Sequence, residues 1–166
     1  MVVVGCQTLT AGSASVDRSD APIYRASVSA SVYESSSRSA ASESEHQASL
    51  SKAAVHTSCD ALSTSSVNAV DAVNAFVSAY NGNAPDVGAK TGPAIAALNT
   101  SADLVARSLS EPLSDELENA LKAWVDSARN VAHIIARTFG MDEFNTAVNQ
   151  LNEVKTKALI LCDAAY

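Results

Sequence analysis

Residues 114–140, SDELENALKAWVDSARNVAHIIARTFG, decide the fold. Leu117, Leu121, Trp124, Ala128, Val131, Ile135 and Phe139 recur every three or four positions, the period of one helix face. Ser114 offers an oxygen to the first unpaired backbone N–H groups, and Asp115 and Glu116 stand where the helix dipole favours acids. Gly140 supplies a stop. The segment is an amphipathic helix, and its apolar face has to be covered by other parts of the chain.

The cover comes from both sides. Downstream, Asp142 reads as the cap of a fourth helix carrying Phe144, Val148, Leu151, Val154 or Lys155, Ala158 and Leu161 or Cys162 on one face. Upstream, a second helix beginning near Thr91-Gly92-Pro93 presents Ile95, Leu98, Leu104 or Val105, and Leu109, and ends at Glu111-Pro112. Residues 82–92 read as a loop rich in Gly, Asn and Pro.

Before that loop there is no Gly or Pro from Ile23 to Asn81, which predicts one long first helix opened by Asp20 and Pro22. Its stripe is Leu50, Ala54, Cys59, Leu62, Val70, Val73, Val77 and Tyr80, with Ser63–Ser66 weakening the middle. Tyr24, Val28 and Val32 mark a face near its start, although Ser27–Val32 also alternates as a strand would. Residues 34–49 are Ser-, Ala- and Glu-rich, and read as a solvated helix or a disordered joint. The expected fold is all-α, an antiparallel up-down-up-down bundle with a long first helix or N-terminal helical arm. Residues 1–21 form a signal remnant and flexible tether, and residues 22–166 one bundle domain in which 22–49 is a protruding or partly disordered arm.

The cysteines follow from that topology. Cys59 lies 21 residues before Tyr80, and Cys162 lies 20 residues after Asp142. At about 1.5 Å per residue both stand roughly 30 Å from the same end of the bundle. First and last helices are neighbours, so a Cys59–Cys162 disulfide is expected; two buried free thiols are the alternative. A disulfide fits an oxidising compartment. Cys6 closes Val3-Val4-Gly5-Cys6, which resembles a bacterial lipobox, making Cys6 the expected lipidation site. Only Val2–Val4 stand where a longer apolar run is needed, so Met1 reads as an internal start or as the start of a shortened chain.

Composition narrows function. The 166 residues carry 11 Lys and Arg against 18 Asp and Glu, with no basic cluster to replace the counterions of a nucleic acid. His56 and Cys59 share a face and Cys162-Asp163 stands opposite, but an oxidised pair has no thiolate left for zinc, so no metal is expected. Serines are plentiful, yet no Gly-x-Ser-x-Gly elbow singles one out, and the chain reads as non-enzymatic. Trp124 lies on a core stripe rather than on a ligand platform. Ala96, Ala97, Ala102, Ala128, Ala132 and Ala158 either pack closely or leave room for an apolar ligand.

The lipobox-like start, the segment Asp17–Ser31 (DRSDAPIYRASVSAS) and the two cysteines near helix ends together resemble small helical lipoprotein-like proteins of mycobacteria and related actinobacteria. That resemblance implies the cell envelope and no assigned activity. The expected role is a non-catalytic envelope interaction or accessory module without a cofactor, exported and held to the outer face of the membrane by a lipid on Cys6, with envelope proteins as partners. The alternative is a carrier of an apolar ligand, lipid or haem, between the helices.

Overall fold

A computed structural model describes residues 21–109, 112–137 and 139–166. They form four α-helices: α1 (Ala21–Asn81), α2 (Val87–Ser108), α3 (Asp115–Ile135) and α4 (Met141–Ala165). No strand occurs among the described residues, so Ser27–Val32 is helical despite its alternation. The chain divides into two compact units, Met1–Ser44 and Glu45–Tyr166, and the bundle belongs to the second.

Within that unit the neighbours of α1 run against it. Ser58 Oγ donates to Ser108 O at 2.8 Å, and the Ser65 and Ser101 hydroxyls lie 2.8 Å apart, so α2 retreats by seven residues as α1 advances by seven. Cys59 meets Cys162, and Phe76 meets Phe144, the same antiparallel relation to α4. Trp124, Leu62, Leu98, Leu121, Leu151, Val105 and Val131 fill the space between the helices and are fully buried.

The helix ends explain most departures from expectation. α1 stops at Asn81 because Asn83 takes a left-handed φ of 48°. Ala84 N–H then reaches Ala79 O at 2.9 Å and Asn83 N–H reaches Tyr80 O at 3.2 Å, a Schellman closure made by an Asn rather than by Gly82. α2 begins at Val87, earlier than expected, and takes in Gly88, Gly92 and Pro93. A Cβ at Gly88 or Gly92 would meet nothing within 4 Å, so these glycines punctuate the sequence without a packing demand. The cap of α3 is as expected, Ser114 Oγ accepting from Leu117 N–H at 3.3 Å. α3 nevertheless ends at Ile135, where Arg137 N–H tightens onto Ile134 O, and Phe139 leaves the helix for the rings of Phe76, Tyr80 and Phe144. Gly140 is therefore the N-cap of α4 instead of the stop of α3, and Asp142 stands in the first turn of α4 rather than capping it.

Along α1 the inward line passes through Ala54, Ser58, Cys59, Leu62, Ser65, Ser66, Ala69, Val73 and Phe76. Ser63–Ser66 does not interrupt it. Leu50 and Tyr80, expected on this line, are exposed. Leu50 stands beside Ser51, whose Oγ donates to Pro112 O, and Tyr80 lies against the rings of Phe76 and Phe139. Residues 34–49 are helical and exposed, the solvated-helix alternative. On α2, Val105 rather than Leu104 faces inward, and on α4 Cys162 is buried while Leu161 is half-buried.

Candidate functional site

Three places in the bundle carry chemistry. The first is the disulfide. Cys59 and Cys162 are bonded, with an S–S length of 2.01 Å and Cα atoms 5.7 Å apart, and each is 3% exposed. The bond ties α1 to α4 across a sequence separation of 103. His56 stands one turn earlier, its ring edge-on to Tyr166 at 4.9 Å and its Nδ1 3.8 Å from Asp60. With both sulfurs bonded to each other, neither is a thiolate that could join His56 on a metal. Among the described residues no three His, Cys, Asp or Glu side chains converge as a metal site. His46 and His133 are also exposed.

The second place is a buried hydroxyl hub that the sequence reading passed over. Ser65 Oγ donates to Ala61 O at 2.5 Å, which uses its one proton. The Ser65–Ser101 contact must then be donated by Ser101, and Ser101 in turn accepts from Trp124 Nε1 at 3.2 Å. Every proton in this chain has a destination, and no histidine or carboxylate is bonded to either serine. The arrangement is a connector of α1, α2 and α3, because a nucleophilic serine needs an adjacent base to take its proton. The signal for it was the spacing: Ser58, Leu62, Ser65, Ala69, Val73 and Phe76 step by three and four, a core period once small hydroxyl residues count as inward-facing. Phe76 belongs to the same line and is buried, while Tyr80, one turn on, is exposed.

The third place is a surface groove between α1 and α2, of about 560 Å³. Ser65 and Ser101 line its floor, and Ala96, Ala97 and Leu104 line one wall. The remaining small residues of interest, Ala102, Ala128, Ala132 and Ala158, are buried in close packing. Arg129 pairs with Asp103 across α2 and α3, and Arg137 pairs with Glu143, both at the surface. No helix among the described residues is long and apolar enough to cross a membrane. Cys6 and residues 7–20 of the expected tether, Asp20 among them, lie outside the described residues, and Ala21, its last residue, already belongs to α1.

Comparison with known proteins adds a lineage. Residues 40–163 match the family model of the Rv2240c four-helix bundle domain. The chain is 50% identical over 170 residues to the uncharacterized protein MT2300 of Mycobacterium tuberculosis (strain CDC 1551 / Oshkosh), an alignment that covers 100% of this chain and 84% of that protein. No solved structure matches the chain.

Proposed function

The chain belongs to the family of the Rv2240c four-helix bundle domain, and on that premise we propose that it is a non-catalytic cell-envelope lipoprotein acting as an interaction or accessory module. In this reading it is exported, a lipid on Cys6 holds it to the outer face of the membrane, and its partners are envelope proteins.

The observation that carries the reading is the Cys59–Cys162 disulfide. Disulfides persist in oxidising surroundings and are rare where thiols are kept reduced. Two further features support it. Every described residue from Tyr24 to Leu50 whose side chain is placed is exposed, a stretch of helix with no core function. The buried serine hub has no free proton or base to offer a substrate.

The test is the intact mass of the protein from its native host, measured before and after reduction. Diacyl or triacyl mass on Cys6, with a gain of two hydrogens on reduction, is the expected result. An unmodified Cys6 with free Cys59 and Cys162 would overturn it. The α1/α2 groove keeps a second reading in play, a carrier of a lipid or haem. Native mass spectra showing the apo mass alone, from several preparations, would remove that reading.

A further inference from the structure

Resting on the interaction-module reading, we propose that the first half of α1 is a self-association surface, and that its occupant is the same segment of a second copy, running antiparallel about Ser35. Tyr24, Val28 and Val32 are 65%, 41% and 61% exposed, so an apolar edge lies open to water. A Ser-rich helix held by no packing is marginal, because serine hydroxyls compete for the backbone and most helical stability comes from a covered face.

The charges identify the occupant. From Arg25 to Glu43 they run Arg25, Glu34, Arg38, Glu43, which is cation, acid, cation, acid, and Glu45 adds a second acid at that end. Read in the opposite direction, that order is its own complement. Arg25 and Glu43 are eighteen residues apart, about five turns, and so lie on one line of the helix surface. Glu34 and Arg38, four residues apart and 2.5 Å from each other within the chain, lie on the opposite flank. An antiparallel copy centred on Ser35 brings Arg25 to Glu43 on one flank and Glu34 to Arg38 on the other, and the two-fold axis makes each pair twice.

Side-chain size selects the same direction. Between the two flanks lie Tyr24, Val28, Ser31, Ser35, Ser39, Ser42 and His46, within an arc of about 80°. Tyr24 and Val28 stand at the start of this face, and only serines follow from Ser31 to Ser42. In the antiparallel pair Val28 meets Ser42, Ser31 meets Ser39 and Ser35 meets itself, so large faces small across the centre, and Tyr24 meets His46 at each end. A parallel pair would stack Tyr24 on Tyr24 and leave serine against serine from Ser31 to Ser42. Ser31 Oγ already donates to Val28 O at 2.9 Å, so it enters the contact with its proton placed.

The experiment is sedimentation equilibrium of the full chain at about 0.05 and 0.5 M salt, where screening of exposed charges differs strongly. The wild type forms a concentration-dependent dimer that weakens at high salt. Arg38→Glu puts like charges together on one flank and weakens the dimer roughly tenfold. The swap Glu34→Arg with Arg38→Glu restores it, because the complement is kept, and circular dichroism confirms equal helicity in all three. A wild type that stays monomeric, or a swap that fails to restore the dimer, overturns the inference. So does a monomer that partitions onto phosphatidylglycerol vesicles through Tyr24 and Val28, and that result leaves the envelope reading standing. A dimer whose Cys6 is unmodified in the native host does the reverse.

Discussion

The two halves of α1 share one helix, yet they are held by different physics. From Ala54 to Ala79 a residue faces the core every three or four positions, and the line includes Leu62, Val73 and Phe76. From Tyr24 to Leu50 serine and alanine predominate and the described side chains are exposed. Serine appears in both halves with opposite consequences. Ser27, Ser31 and Ser36 donate to carbonyls of their own helix at the surface. Ser58 donates to the Ser108 carbonyl, one of those left open at the end of α2, and Ser65 meets Ser101. The same side chain is a local competitor for the backbone when nothing faces it, and a connector between helices when a neighbour does.

That contrast breaks or sharpens with four measurements. The largest effect belongs to the disulfide. Replacing Cys59 and Cys162 together by Ala releases a loop with a sequence separation of 103, and lowers stability by about 4–5 kcal/mol in the chain-entropy account. Urea midpoints of the oxidised, reduced and double-variant proteins test this, and equal midpoints would refute it. Next comes Leu62→Ala, which empties a fully buried site in the second half of α1 and costs about 3 kcal/mol.

Ser101→Ala is smaller but more informative. It leaves Trp124 Nε1 without an acceptor and removes the donor to Ser65, at a cost of about 1–3 kcal/mol. A shift in the near-ultraviolet signal of Trp124, the chain's single tryptophan, should accompany it. A neutral Ser101→Ala would reduce the hub to ordinary packing. The smallest effect is Tyr33→Ala in the first half of α1, within about 0.5 kcal/mol of no change at dilute concentration. If Tyr33→Ala destabilised the bundle as much as Leu62→Ala does, the comparison between the halves would fail.

How far the sequence was legible depends on what each residue had to do. The stripe from Leu117 to Ile135 reads directly, because large apolar residues at helical spacing have one stable use. The cysteine pair also reads, because an up-down-up-down order makes the first and last helices neighbours and counting along each sets the level. The bounds of α2 and α4 read poorly. Gly92, Pro93, Gly140 and Asp142 carry strong local preferences, yet the chain turned where Asn83 and Phe139 found better partners. The hydroxyl hub was not legible as a site, since a serine at a core position is worth nothing until its acceptor on another helix is known.

By itself, then, the sequence determined the class of fold and the antiparallel order of the helices, and it set Cys59 level with Cys162. Those follow from periodicity and chain length, which are properties of a helix alone. Tertiary structure decided which serines are buried, that Val105 and not Leu104 faces inward, and that Phe139 joins an aromatic cluster instead of extending α3. The reason is physical. A hydrogen bond or a ring contact between helices is set by register to within about an ångström, and periodicity fixes only the face.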